Sequence, residues 1–206
     1  MNYNFRSIDN KIISLLFYFA GAIISSILII FIKEIRPFFL FRYSLKTILF
    51  LILSLISFII LDFSFANEKE EKNNLHQIEN IFGPKPAILY VLIICLVGAY
   101  VEEILFRGYL YILFKNILYI FIKDKIIIEI IVIILISLIF SLLHISQGIS
   151  GAIFSFIASI IFFISIFISS TIIYAMIFHF LFNFIEFLFI IPYKRKKYKL
   201  DIEENN

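Results

Sequence analysis

Six stretches of about 20 apolar residues, at roughly 12–32, 47–66, 87–114, 126–146, 151–169 and 171–191, constrain this 206-residue chain more than any other feature. Each is long enough to cross a hydrocarbon layer of about 30 Å as a helix. Lipid offers no hydrogen bonds, so a spanning segment must satisfy its backbone internally, which a helix does. The composition agrees: 62% of residues are hydrophobic, 27 are Phe, and mean hydropathy is +1.04. A soluble fold of this size has too little interior to hide that much apolar surface. A soluble globular domain, a disordered chain and a nucleic-acid module are thereby excluded. The single Cys95 excludes a disulfide scaffold. The expected fold is all-α, a polytopic transmembrane bundle of about six spans whose main partner is the lipid bilayer.

The spans group into three regions. Residues 1–86 hold two transmembrane helices and a polar loop at 67–80, NEKEEKNNLHQIEN. The first span follows Arg6 and Lys11 but is too long for the apolar region of a signal peptide, so it reads as retained. The breaker Gly83-Pro84-Lys85-Pro86 opens a core at 87–191, inside which only Ser169-Ser170-Thr171 separates the last two spans. Residues 192–206 form a basic, then acidic tail. Its Lys194-Arg195-Lys196-Lys197 cluster marks the cytoplasmic side, and six spans place both termini there.

Ionisable groups in a bilayer core cost roughly 2.5–3.5 kcal/mol each on insertion scales, so each needs a reason to be there. Glu103 and Arg107, four apart, share a helical face and can pair, while Glu102 points about 100° away from them. Gly98, one turn before Glu102, lets another helix approach closely. Ser137, Ser141, His144 and Gln147 form a polar face on the fourth span, and His179, Asn183 and Glu186 form one on the sixth. Glu129 sits near a span start, where headgroups or water can solvate it. A lone buried His is ordinarily a hydrogen-bonded core residue, and paired charges often only orient helices. Together, however, these groups are the parts of a hydrolase. A carboxylate and an imidazole can deprotonate a water, and an imidazole with an amide N–H can hold an oxyanion. No Gly-x-Ser-x-Gly or His-Glu-x-x-His is present, and Asp62, the one aspartate inside a span, lacks the partner that aspartyl proteolysis needs. A proton-coupled transporter is the alternative that glutamates and histidines inside spans leave open, although no duplicated halves are visible.

The order Glu-Glu-x-x-x-Arg, Phe-x-x-x-His, His-x-x-x-Asn, each on its own hydrophobic helix, resembles the CPBP intramembrane protease family. That family includes type II CAAX prenyl endopeptidases and bacteriocin self-immunity proteins. The matching residues are Glu102, Glu103 and Arg107, then Phe140 and His144, then His179 and Asn183, with Phe106-Arg107-Gly108 also in the family's style. The resemblance covers about residues 87–187. It implies endopeptidase cleavage of a membrane-associated peptide or protein, in the plasma membrane of a prokaryote. By it, Glu102 with His144 activates water, His179 and Asn183 stabilise the oxyanion, and Glu103, Arg107 and Phe140 support them. Glu102, His144 and His179 are also the candidate ligands of a zinc ion, and a metal-free mechanism fits the same residues. A non-catalytic immunity protein on the same scaffold is the further alternative. Two centred, parallel spans would leave Glu102 and His144 at different depths, so the segment 107–125 is expected to bend, re-enter or lie along the interface.

Overall fold

The computed structural model describes residues 3–33, 39–65, 68–83 and 86–198. Pro84, Lys85, the tail from 199 onward and the side chain of Asp62 lie outside the described residues. The described chain is helical, with no strand among those residues. Its elements are α1 (Tyr3–Phe31), α2 (Leu45–Phe65), α3 (Glu68–Phe82), α4 (Ile88–Glu103), a π-helical turn (Ile104–Leu110) and α5 (Tyr111–Phe121). They continue with α6 (Lys125–Leu143), a 3₁₀ turn (Ile145–Gln147), α7 (Gly148–Ser169), α8 (Ile173–Ile185), a second π-helical turn (Glu186–Ile190) and α9 (Ile191–Lys197).

Four helical stretches, Ile88–Phe121, Lys125–Leu143, Ile145–Ser169 and Ile173–Lys197, are long and apolar enough to cross a membrane. Helices α1 and α2 carry shorter apolar stretches, Leu15–Phe31 and Leu45–Ile60. This is an integral membrane protein, and a bundle of about six spans agrees with it. Ile24, Leu53, Leu89, Ile126, Leu142 and Phe167 are among the large apolar side chains left outside the fold, where lipid is their solvent.

Local chemistry explains the boundaries. Asp124 caps α6, its carboxylate accepting from the backbone N–H of Ile126 at 2.8 Å and Ile127 at 3.1 Å. Ser170 ends α7 with φ 58°, and the Ser169 hydroxyl donates to the Ser165 carbonyl at 2.7 Å. The Ser-Ser-Thr cluster is therefore the expected turn between the last two spans. Gly98 lets Tyr18 of α1 press against α4: a Cβ there would lie 3.2 Å from the ring. Ser26 and Tyr100 share a hydrogen bond of 2.9 Å across the same crossing.

The core has two parts that meet on α7. One joins α2, α7 and α8 through Phe58, Phe162, Ile172, Ala175 and Phe178. The other joins the first π turn, α5, α6 and α7 through Phe106, Tyr111, Ile128, Val132, Ile136, Phe140 and Phe163. Adjacent residues Phe162 and Phe163 thus tie both halves together.

Three sequence expectations change. Residues 68–82 are a helix, not a solvated loop: α3 packs on the protein through Leu75, which is 1% exposed. The basic part of the expected tail is helical, in α9, with Lys194 and Arg195 buried and ion-paired to α3 and Lys196 and Lys197 exposed. The third span does not end near 114. It runs as helix, through the π turn, to Phe121, and the bend expected within 107–125 falls just after it. A short turn at Ile122–Asp124 reverses the chain, so α5 and α6 form an antiparallel hairpin. Glu102 lies 19 residues before the last residue of α5, and His144 lies 19 residues after the first residue of α6. That count brings the two residues to a similar level, and both line one cavity. Phe106 and Phe140 obey the same register and meet with ring centroids 5.0 Å apart.

The connections also agree in sidedness. Segment α3 follows the second span, residues 144–150 follow the fourth, and α9 follows the sixth. Alternating spans put all three on one side, and there they touch: Glu70 meets Ser150, and Glu71 meets Lys194.

Candidate active site

The polar residues inside the spans converge at the end of α4. Glu103 is fully buried, and its Oε1 accepts from Arg107 Nη1 at 3.0 Å and from His179 Nδ1 at 2.8 Å. Arg107 also donates through Nη2 to the Ser159 hydroxyl on α7 at 2.8 Å. Four aromatic rings surround its guanidinium, those of Phe140, Phe162, Phe163 and Phe106, at 4.7, 5.0, 5.4 and 5.8 Å from their centroids. Ring faces are electron-rich, so this cage stabilises a cation that has lost its water. The buried charge is therefore compensated by one carboxylate, one hydroxyl and π density, as a buried ion pair must be to persist.

The network fixes His179. Its ring stacks on Phe162 at 5.1 Å with a 21° tilt, and the Phe140 ring meets it edge-on at 6.2 Å. With Nδ1 donating to Glu103, Nε2 is left to point elsewhere, and it lies 3.7 Å from Glu102 Oε2. That separation is too long for a direct hydrogen bond and short enough for one water to touch both atoms. Glu102 Oε2 is enclosed and has no hydrogen-bond partner among the described residues. Glu103 Oε2 and Arg107 Nε, just behind it, are buried without a partner among the described residues as well.

Glu102, His144, His179 and Asn183 all line one cavity of about 310 Å³. His144 caps the C-terminus of α6 and uses Nδ1 on the Phe140 carbonyl, 2.8 Å away. A carbonyl can only accept, so Nδ1 carries the hydrogen, and the neutral ring offers a lone pair at Nε2. Asn183 follows His179 by one turn of α8 and opens on the same space. The sequence named every one of these groups. The structure adds that the imidazole set against the Glu102 carboxylate within 3.7 Å is His179.

Two π-helical turns, Ile104–Leu110 and Glu186–Ile190, directly follow the site residues of α4 and α8. Such wide turns rotate the following helix and commonly accompany functional sites. Glu129, four residues from the start of α6 and partly exposed, pairs with Lys115 and accepts from the Tyr111 hydroxyl, and it does not line the cavity.

Sequence reasoning missed Ser159, Phe162, Tyr18 and the whole of α3. Ser159 had a weak signal, because Ser155 and Ser159 put hydroxyls one turn apart on an apolar span. Phe162 had none, being one of 27 Phe.

A zinc ion needs three or four N, O or S ligands at about 2.0–2.3 Å. Among the described residues no three His, Cys, Asp or Glu side chains converge in that way. The set Glu102, His144 and His179 therefore does not fit a metal centre, and the chemistry below uses none.

No curated protein and no solved structure matches the chain. The family model for type II CAAX prenyl endopeptidases, Rce1-like, matches residues 84–185. That stretch carries both glutamates, Arg107, Ser159, both imidazoles and Asn183. Over residues 84–185 the chain belongs to the Rce1-like family of type II CAAX prenyl endopeptidases, a family of intramembrane proteases.

Proposed function

We propose that the chain hydrolyses a peptide bond of a membrane-associated substrate. Glu102 is the general base. It takes a proton from a water that attacks the scissile carbonyl carbon, and the carbonyl π electrons move onto oxygen. His144 Nε2 steadies the same water from across the cavity. Asn183, through its amide N–H, and His179, when Nε2 carries a second proton, donate to the oxyanion. Collapse of that intermediate breaks the C–N bond, and the leaving amine takes the proton held by Glu102. Positioned base catalysis contributes about 10²–10⁴-fold and each oxyanion donor about 10²–10³-fold. Glu103, Arg107 and Ser159 never touch substrate; they hold His179 and the α4 backbone in place.

The observation that carries this reading is the convergence of four groups from three helices on one cavity, with the Glu103–Arg107–His179 network behind it. The substrate enters from the side shared by α3, residues 144–150 and α9. With the remaining basic cluster marking the inside, that is the cytoplasmic side, in a prokaryotic plasma membrane. The test compares new peptide termini, by mass spectrometry, in membranes carrying wild type or Glu102→Gln. The wild-type termini should fall at least about 10²-fold in the variant, with the protein still present in the membrane. Undiminished termini would overturn the assignment of the base.

A further inference from the structure

Helix α3 lies outside the family-matched segment, yet it builds one wall of the catalytic cavity through Glu71, Asn74, Gln77, Ile78 and Ile81. It is a polar helix with few apolar anchors: Leu75 is buried, Phe82 meets the rings of Phe187 and Tyr90 at 5.0 and 6.0 Å, and the helix packs along α1. Three carboxylates fasten it. Glu70 accepts from the hydroxyl and the backbone N–H of Ser150 at the start of α7. Glu71 pairs with Lys194 at 2.8 Å, and Glu79 pairs with Arg195 at 2.7 Å. Gly148 is shaped for this contact. Its φ is +91°, and a Cβ there would lie 2.7 Å from Glu70 Oε2. An element held by ion pairs and few apolar contacts belongs to the part of a fold that opens most readily.

With α3 seated, the cavity of about 310 Å³ is at the small end of ligand sites. A helix with side chains is about 10–12 Å across and does not fit beneath it; a few residues of extended chain do. Unwound backbone at this depth needs hydrogen-bond partners, and the amide side chains of Asn74 and Gln77, three residues apart on α3, line the cavity to meet it.

We infer that α3 is a latched strap over the site, and that the site accepts a locally extended, non-helical peptide segment drawn under the strap when its latches open. The substrate half of this inference rests on the endopeptidase reading; the strap does not.

The experiment measures access without measuring cleavage. Ser155 lines the cavity, so Ser155→Cys in a Cys95→Ala background places a reporter thiol there. The full chain in proteoliposomes is treated with a small methanethiosulfonate and, separately, with a bulky polyethylene-glycol maleimide. The small reagent should label the latched protein and the bulky one should label it slowly. Glu71→Gln with Glu79→Gln should raise the bulky-reagent rate about tenfold. The exchange Glu71→Lys with Lys194→Glu should return it to the slow rate. Equal bulky-reagent rates in latched and unlatched proteins overturn the strap. So does labelling of Cys95 in an unlatched chain that keeps Cys95 and Ser155, because the gain would then reflect general unfolding. Either failure leaves the Glu102 chemistry standing, and an active Glu102→Gln leaves the strap standing.

Discussion

At the scale of single residues, the two adjacent glutamates divide labour by orientation. Glu103 is fully buried and its Oε1 meets Arg107 and His179, while Glu102 lines the cavity. Removing one partner of a buried pair strands the other, which costs about 3–5 kcal/mol. Glu103→Gln should therefore lower the unfolding midpoint in detergent, and Glu103→Gln combined with Arg107→Met should be more stable than the single variant. A double variant no better than the single one would mean that the pair is not the unit. By contrast, Glu68→Gln breaks an exposed pair with Lys72 and should leave the midpoint unchanged. A sequence can place Glu103 and Arg107 on one face. It cannot tell that three of the four cage rings and Ser159 come from helices 33 or more residues away.

At the scale of elements, the π turns and the α5–α6 hairpin do what isolated spans could not. A hairpin closed by Asp124 brings the carboxylate of one helix level with the imidazole of the next. Spacing within each motif was legible because it reflects 3.6 residues per turn. Depth was not, because it depends on where the turn falls, and the apolar run hides that. Helix α3 was illegible for a related reason: a polar stretch with mixed charge reads as loop unless its docking partners are known. Gly148→Ala should unseat α3, since the new methyl collides with Glu70 and the backbone is strained at φ +91°. Faster hydrogen exchange confined to α3 is the expected readout; unchanged exchange would contradict the docking geometry. The Ser150 hydroxyl, and then the Ser150 and Ile149 backbone N–H groups, hold the Glu70 carboxyl below its usual range. A depressed carboxyl stabilises the docked state above its ordinary pKa and ceases to do so as pH falls through the lowered one. Exchange from α3, corrected for intrinsic rate, should thus be flat from neutral pH to about 5 and rise in stronger acid. A rise between pH 7 and 6 would point to another group.

For the whole molecule, alternation of six spans puts α3, residues 144–150 and α9 on one side of the membrane, where Glu70 meets Ser150 and Glu71 meets Lys194. Phe58, Phe140, Phe154, Phe162 and Phe182 are among the residues that line the cavity. With no three metal ligands converging among the described residues, cleavage in membranes should persist after treatment with a strong zinc chelator. Activity lost to the chelator and restored by zinc would refute the metal-free chemistry. What the amino-acid sequence determined by itself was the solvent, the helical class and the identity of the polar groups. Each is a local property: apolar run length selects lipid, and helical spacing selects a face. Which groups meet was decided only by tertiary structure. That depends on hairpin register, on small residues that let helices cross closely, and on carboxylates of one segment finding cations more than a hundred residues away. Those are pairings between distant parts of the chain, and no local periodicity encodes them.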